Sequence, residues 1–283
     1  MSSGDPKELN GEGRDGEGAH LRPDISYGAY LGLDRLLAAQ APRSPHHDEL
    51  LFIIIHQASE LWIKLCLHEL VAARGHIAAD DLGPALKMIA RVSRIQTQLI
   101  QSWDVLATMT PADYAAFRPH LGQSSGFQSF QYRAMEFVLG AKNPAALEVH
   151  QGDAPAHALL ARLLAEPSLY DEAIRLLARK GFDLPAATLQ RDLTRPYAAD
   201  PAVQAAWLEV YRDTARYWDL YDLAEKLVDL EFRFQQWRFA HFKTVERIIG
   251  MKPGTGGTSG APYLKRVLDT QFFPELLVVR TVL

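Results

Sequence analysis

The longest uninterrupted pattern in the chain covers residues 201–249 and has the period of an α-helix. No glycine falls inside it, and its only proline, Pro201, lies in the first turn, where proline is tolerated. Apolar side chains recur every three or four positions, so each half of the segment has a stripe to bury. These side chains include Trp207, Val210, Tyr211, Trp218, Tyr221, Phe234, Trp237, Val245 and Ile248. The pattern predicts one very long helix, or two helices separated by a kink.

Shorter helical patterns fill most of the remaining chain. ISYGAYLGLDRLL predicts an early amphipathic helix, and HDELLFIIIHQASELWIKLCLHEL predicts a central buried helix, because it is apolar nearly all round from Leu51 to Ile55. In TPADYAAFR, Thr110 is the expected N-cap before Pro111. Alternating strand patterns are almost absent. We therefore predict an all-α fold, with a mobile, Gly-rich and charged tail over residues 1–20 and a single helical domain over residues 21–283.

Charge and cysteine content narrow the class of protein. The formal net charge is -4, which gives no electrostatic reason to bind nucleic acid or an anionic membrane. The single cysteine, Cys66, cannot form an internal disulfide and lies in a run that predicts a buried helix. The N-terminus lacks the apolar segment of a signal peptide, and no uncharged stretch reaches the length of a membrane helix. These features predict a cytoplasmic protein.

Two of the ten histidines, His56 and His241, fall on apolar helical faces. Phe52, His56, Ser59 and Ile63 share one such stripe, while Phe234, Trp237, His241 and Val245 share another. A single histidine in this setting is more often a hydrogen-bonded core residue than a ligand. The spacing of the histidines matches no zinc or di-iron motif, and a lone axial haem ligand has no local signature. The histidines alone therefore leave a structural and a functional interpretation open.

Two further features invite a functional interpretation. Tyr114 and Arg118 are four residues apart on one predicted helix, and an arginine beside a tyrosine hydroxyl suits the recognition of a carboxylate. The alternative is a surface arginine with a partly buried tyrosine. GTGGTSG, residues 254–260, lacks the Gly-Lys-Ser/Thr of a phosphate-binding loop and follows a helix. It predicts either a flexible lid, with Thr255 and Thr258 available to a ligand, or a plain connector.

Several segments, in order along nearly the whole chain, together resemble the tryptophan 2,3-dioxygenase family. HDELLFIIIHQASELW and GQSSGFQSFQYR are the most distinctive of them. The other matching segments are SYGAYLGLDRLL, FQQWRFAHFKTVERIIG, KPGTGGTSG and FFPELLVVRT. Taken together these matches are highly specific, and they begin at about residue 22, after the N-terminal tail.

The resemblance implies an enzyme that contains haem. It implies a homotetramer with one haem b per subunit, and Fe(II) in the active state. His241 is then the axial ligand to the haem iron, and His56 lies on the distal side, within reach of the indole N–H of the substrate. Ser125 and Gly126 lie near the haem on the oxygen side. The implied reaction inserts both atoms of O2 across the indole C2–C3 bond of L-tryptophan to give N-formyl-L-kynurenine, the first step of tryptophan catabolism.

The resemblance also implies how the substrate is bound. Arg118 holds the carboxylate with help from Tyr114, Thr255 meets the ammonium group, and Phe52 packs on the indole. Tyr27, Tyr30 and Leu31 reach into the pocket of the neighbouring subunit. Three alternatives remain: a helical haem enzyme acting on another indole, a haem-based sensor or carrier without turnover, and a structural oligomer without a cofactor. Rapid turnover of tryptamine would favour the first, because tryptamine has no carboxylate for Arg118.

Overall fold

The computed structural model describes residues 25–283 and confirms the all-α prediction. Over these residues it contains thirteen α-helices, three short 3₁₀ helices and no strand. The predicted N-terminal tail, residues 1–20, lies outside the described residues. Contacts divide the chain into two compact units, with a boundary between Ala41 and Pro42. The α-helices are α1 (Tyr27–Leu31), α2 (Leu33–Leu37), α3 (Asp48–Ala78), α4 (Leu82–Leu106), α5 (Pro111–Phe117), α6 (Phe130–Leu139), α7 (Ala154–Ala165), α8 (Leu169–Arg179), α9 (Ala186–Leu189), α10 (Pro201–Arg212), α11 (Trp218–Ile249), α12 (Ala261–Val267) and α13 (Pro274–Val282).

The predicted early helix is two short helices, α1 and α2, in the first unit. Ser26 caps α1 by accepting a hydrogen bond from the backbone N–H of Ala29. Gly32 separates the helices because it adopts a left-handed conformation, with φ of 61°, which glycine reaches without steric cost.

Helices α3, α4 and α11 form the centre of the second unit, where α4 packs against both of the others. Leu70, Ile89, Leu99, Leu227 and Phe234 are among the fully buried side chains at these contacts. Cys66 is also buried and free, as predicted. The three longest helices therefore form the central frame of the second unit, and shorter helices of that unit, such as α5, α6 and α8, pack against it.

The prediction that α3 is a central helix is confirmed, but its predicted burial holds for only part of its surface. Four apolar residues of α3, Leu50, Ile54, Leu61 and Leu65, are between 36% and 51% exposed. Their spacing of three or four residues, or its multiples, places them on one side of the helix. Judged by length and composition alone, α3 could cross a membrane, and only 11% of its most apolar stretch is buried. The helix thus has an apolar stripe that no described part of the chain covers.

The long pattern over residues 201–249 forms two helices, with a break between Arg212 and Trp218. The side chain of Asp213 accepts a hydrogen bond from the backbone N–H of Arg216 at 3.2 Å. Such a bond offers the backbone an alternative to the helical one, and it ends α10 although neither glycine nor proline is present. The kinked alternative in the sequence analysis is therefore the correct one.

Two local signals set the helices that follow α4. Thr110 and Asp113 form a reciprocal capping box at the start of α5, with Pro111 in the first turn, as predicted. Ser129 caps α6, and Gly140 ends it with φ of 121°. The residues between these helices, 118–129, form two 3₁₀ turns and a loop. Because α5 contacts α3 and α11, and α6 contacts α3, these caps fix both ends of the segment between α5 and α6.

Candidate active site

A cavity of about 510 Å³ lies within the second unit. Residues of α3, α4, α5, α6, α11 and α12 line it, together with the loops at 124–129 and 254–260. Seven residues singled out from the sequence line it: Phe52, His56, Tyr114, Ser125, Gly126, His241 and Thr255. They come from five separate parts of the chain, so residues that are distant in the sequence meet in the folded protein. The volume of the cavity falls within the range of about 300–1,000 Å³ that is usual for ligand and cofactor sites.

His56 presents one ring nitrogen to the cavity as a hydrogen-bond acceptor. Its Nδ1 lies 2.7 Å from the backbone carbonyl oxygen of Phe52, so Nδ1 carries the proton and donates it to that oxygen. Burial lowers the pKa of His56, against smaller opposing effects of this bond and of the Glu60 carboxylate. A neutral ring whose proton is on Nδ1 leaves Nε2 free to accept a hydrogen bond from a ligand N–H.

His241 faces the same cavity from α11. Burial, with a smaller contribution from the nearby His56, lowers its pKa to about 4, so the imidazole is neutral near pH 7. The ring lies parallel to Trp103, with 4.4 Å between the ring centroids. A neutral imidazole in an apolar wall has the lone pair that a metal ligand requires. Within residues 25–283 no cluster of three or more His, Cys, Asp or Glu side chains could hold a bare metal ion.

The Gly-rich loop lies directly against the segment that follows α5. The Thr255 hydroxyl donates to the backbone carbonyl of Ser124 at 2.5 Å. A Cβ on Gly256 would lie 2.5 Å from the Cβ of Ser125, a distance that real Cβ atoms do not adopt. Glycine at position 256 therefore permits the close approach of the two segments, and Thr255 joins them by a hydrogen bond.

Arg118 does not line the cavity but lies beside it. Its Nη2 donates to the backbone carbonyl of Pro253 at 2.6 Å, which links the start of the Gly-rich loop to the end of α5. Tyr114, one turn earlier, does line the cavity. Burial raises the pKa of Tyr114, and the nearby positive charge of Arg118 partly offsets this. The hydroxyl and the guanidinium group therefore lie close together, as their spacing predicted.

Tyr27, Tyr30 and Leu31 belong to α1 in the first unit, not to the residues that line the cavity. Tyr27 and Tyr30 are 76% and 78% exposed. Two large aromatic side chains on one short helix are thus available for contact with another molecule.

The sequence analysis missed several cavity residues. Trp103, Glu60, Arg133, Arg238 and Tyr263 all line the cavity, as does Trp237, which the sequence analysis named only as an apolar neighbour of His241. The indole N–H groups of Trp103 and Trp237 are buried without a hydrogen-bond partner among the described residues. Arg133 and Arg238 are buried beside Glu136. The sequence does not reveal this burial, because exposed ion pairs on a helix have the same spacing as buried ones.

Comparison with known proteins identifies the family to which this fold and site correspond. The family model described as tryptophan 2,3-dioxygenase matches residues 14–283. A tryptophan 2,3-dioxygenase of Erythrobacter litoralis is 63% identical over 92% of this chain and 99% of its own length. A protein of the same name from Bacillus cereus is 60% identical over 92% of this chain and 94% of its own. One from Cupriavidus necator is 58% identical over 97% of this chain and 93% of its own.

Proposed function

The chain belongs to the tryptophan 2,3-dioxygenase family, and from that premise we propose that its cavity is the active site in which L-tryptophan is oxidised. As a member of this family it is an oxidoreductase that converts L-tryptophan and O2 to N-formyl-L-kynurenine. Both oxygen atoms enter the product and the indole C2–C3 bond is cleaved, so the overall reaction consumes no external reductant. The observation that carries the assignment of the site is that His56 and His241 line one cavity.

The family is haem-dependent, and we propose that each subunit binds one haem b, ferrous in the active state, with His241 as its axial ligand. The residues present fit this group. His241 is neutral at pH 7 because burial lowers its pKa, and a single histidine suffices where a porphyrin supplies the in-plane ligands. The cavity wall is largely apolar, which excludes water from such a site. When bound, the haem iron supplies the activation of O2.

The geometry of His56 supports its role as the catalytic residue that orients the indole. Its Nε2 would accept the indole N–H, since Nδ1 is committed to the carbonyl oxygen of Phe52. The Phe52 ring lies 4.1 Å from the His56 ring, centroid to centroid, and would pack on the indole. Ser125 and Gly126 line the same cavity and belong, in this proposal, to the oxygen side of the haem. Holding the indole in one orientation is the principal contribution of these side chains to the rate.

The amino acid part of the substrate would be recognised where α5 meets the Gly-rich loop. Arg118 uses one N–H on the carbonyl of Pro253, which leaves other N–H groups for the substrate carboxylate, with the Tyr114 hydroxyl beside them. The Thr255 hydroxyl donates to Ser124, so its oxygen can still accept a hydrogen bond from the substrate ammonium. Contacts to both groups would explain selection of an L-amino acid over a simple indole.

We further propose that the protein is a homotetramer. The exposed apolar stripe of α3, formed by Leu50, Ile54, Leu61 and Leu65, is the kind of surface that subunit contacts cover. Tyr27, Tyr30 and Leu31 would then enter the pocket of a neighbouring subunit, which suits their exposure. A location in the cytoplasm follows from the same proposal, since a subunit interface, rather than a membrane, would cover α3.

The test is product formation by the haem-loaded protein under ¹⁸O2. We expect a Soret band, its shift on reduction, and N-formylkynurenine carrying two labelled oxygen atoms, measured by mass spectrometry. A protein that binds haem but gives no product with L-tryptophan would contradict the proposed substrate. His241→Ala should lose the Soret band while its helical circular dichroism is kept. An unchanged Soret band in this variant would contradict the assignment of the axial ligand.

A further inference from the structure

Two buried arginines and one buried glutamate form a charged cluster in the cavity wall. Arg133 donates to Glu136 Oε2 at 2.7 Å, and Arg238 donates to Glu136 Oε1 at 2.9 Å. All three residues are less than a tenth exposed, and both arginines line the cavity. Two guanidinium groups share one carboxylate, so the cluster carries one positive charge in excess. A buried excess charge is costly unless a ligand of opposite charge completes it.

Glu231, which interacts with Arg238, and Glu60, which lines the same cavity, have hydrogen-bond partners of their own. Glu231 accepts the backbone N–H groups of Phe272 and Phe273, at 2.7 and 3.3 Å. Burial raises the pKa of Glu231, and these two bonds and the positive charge of Arg238 offset part of that rise. Glu60 accepts from the side chain of Gln131 at 2.7 Å. Neither carboxylate forms an ion pair with Arg133 or Arg238 within the described part of the chain. The charge of Glu231 acts on Arg238 at longer range, so the part of the cluster that lacks a further carboxylate is Arg133, whose one carboxylate partner over residues 25–283 is Glu136.

The two arginines differ in what they have left to donate. Arg238 donates to Glu136 and the Tyr132 hydroxyl, and to the carbonyls of Val267 and Thr270. Arg133 has only two acceptors over residues 25–283: Glu136, and the Tyr263 hydroxyl at 3.2 Å. Its guanidinium group also lies over the ring of Phe127, 4.7 Å from the centroid. Arg133 is thus fixed in orientation while several of its five N–H groups stay available.

The position of the cluster indicates which ligand it serves. Arg238 and His241 are three residues apart on α11 and line the same cavity, so the cluster lies within about one helical turn of the proposed axial ligand. Arg118, proposed to hold the substrate carboxylate, lies instead beside Tyr114 and contacts Pro253. Building on the proposed function, we propose that the Arg133 guanidinium and the Tyr263 hydroxyl bind a carboxylate of the haem, one of its two propionates. Glu136 and Arg238 hold Arg133 in position.

The experiment compares haem with haem dimethyl ester, whose propionates carry no charge. Release from the holoprotein is followed by transfer to excess apomyoglobin, and the ratio of the two release rates is measured. We expect the wild-type protein to release the ester about tenfold faster or more, because charge-assisted bonds are lost. In Arg133→Gln we expect haem to be released about tenfold faster than in wild type and the ester-to-haem ratio to fall towards one. Tyr263→Phe, a milder change, should move both quantities in the same direction by about threefold.

Arg162→Gln is the control, because Arg162 is an exposed arginine whose partner Glu166 keeps its contact with Arg74. Arg162→Gln should leave the ester-to-haem ratio unchanged. Arg133→Lys, which retains the charge, should give a ratio between those of the wild type and Arg133→Gln. If Arg133→Gln and Tyr263→Phe both keep the wild-type ratio, the proposal is overturned. It is equally overturned if they raise only the KM for L-tryptophan, because the cluster would then serve the substrate carboxylate. A wild-type protein that binds no haem would refute the proposed function itself.

Discussion

The Nδ1 atom of His56 and the carbonyl oxygen of Phe52 are 2.7 Å apart, one turn of α3 from each other. This bond makes the helix backbone itself the group that selects the tautomer of His56. Because Nδ1 holds the proton, Nε2 is an acceptor, and burial lowers the pKa of the ring so that it stays neutral. The ring is therefore prepared to accept an N–H from a ligand without any change of protonation.

A first prediction concerns this acceptor. His56→Ala should lower kcat/KM for L-tryptophan by about tenfold to a hundredfold, the effect of leaving one buried N–H without an acceptor, while haem stays bound. The wild-type protein should also prefer L-tryptophan over its N1-methyl derivative, which has no indole N–H, and the variant should have lost most of that preference. Steady-state kinetics with both substrates and the Soret absorbance measure these effects. Loss of haem in His56→Ala would instead show that His56 and His241 have the opposite roles.

A second prediction concerns the carboxylate. Arg118→Ala should raise the KM for L-tryptophan by tens of times or more, since removing one partner of a buried charged pair costs about 2–5 kcal/mol. The same variant should scarcely change the kinetics with tryptamine, which carries no carboxylate. Initial rates with the two substrates separate this effect from general damage to the fold. An unchanged KM for L-tryptophan would contradict the role of Arg118.

The sequence indicated some parts of the site and concealed others. His56 and His241 stood out because a histidine on an apolar helical face is unusual, but only the packing of α3 and α11 shows that both face one cavity. Arg133 gave no signal, because a charged side chain in a helix normally points to solvent and only its burial with Glu136 marks it as different. The resemblance to a family supplied the chemistry, which neither periodicity nor spacing can supply.

Two features of the fold could be predicted only in part: the burial of α3 and the break after α10. The apolar composition of α3 was taken as evidence of burial within the chain, but a helix that is covered by another subunit has the same composition. The break at Asp213 was left as an alternative because no glycine or proline marks it, and the side chain that ends α10 acts through one hydrogen bond to Arg216. Periodicity therefore predicted which residues are helical, but not what each helix packs against.

A third prediction concerns the close approach of the Gly-rich loop. Gly256→Ala should lower kcat/KM for L-tryptophan by about tenfold to a hundredfold, because the added Cβ would lie 2.5 Å from the Cβ of Ser125 and overpacking costs about 1–3 kcal/mol. Haem content should be unchanged. Gly152→Ala is the matched control, since a Cβ there meets nothing within 4 Å. Equal kinetics for the two variants would mean that contact between the loop and Ser125 is not needed for turnover.

A fourth prediction concerns the apolar stripe of α3. Leu61→Glu should convert the tetramer to smaller species, because it places a charge in a surface that we propose to be buried between subunits. Light scattering after size-exclusion chromatography measures the mass. Val149→Glu, at a residue that is 41% exposed on a 3₁₀ helix, is the control and should leave the mass unchanged. If Leu61→Glu keeps the mass of the wild-type tetramer, the interface lies on another face of the protein.

A last prediction concerns stability at low pH and rests on Asp171, which caps α8 and pairs with Arg191 through two bonds of 2.7 and 3.0 Å. Burial alone would raise the pKa of Asp171, but the bonds from Arg191 and Ser168 outweigh it and hold the pKa below its ordinary value. A carboxyl group with a lowered folded pKa stabilises the fold above the unfolded pKa, about 3.9, and this contribution is lost as the pH falls through the folded pKa.

Asp171→Asn should therefore lower the free energy of unfolding near pH 7 by about 3 kcal/mol, near the lower end of the range for breaking a buried ion pair. The loss is not larger because Arg191 keeps its bonds to the carbonyls of Asp192 and Arg195. Urea denaturation from about pH 7 down to pH 2 should show the difference between variant and wild type shrinking below about pH 4. Asp192→Asn, which removes an exposed pair with Arg195, should change stability by less than about 1 kcal/mol. A difference for Asp171→Asn that stays constant with pH would mean that its charge does not stabilise the fold, and that only its shape and hydrogen bonds do.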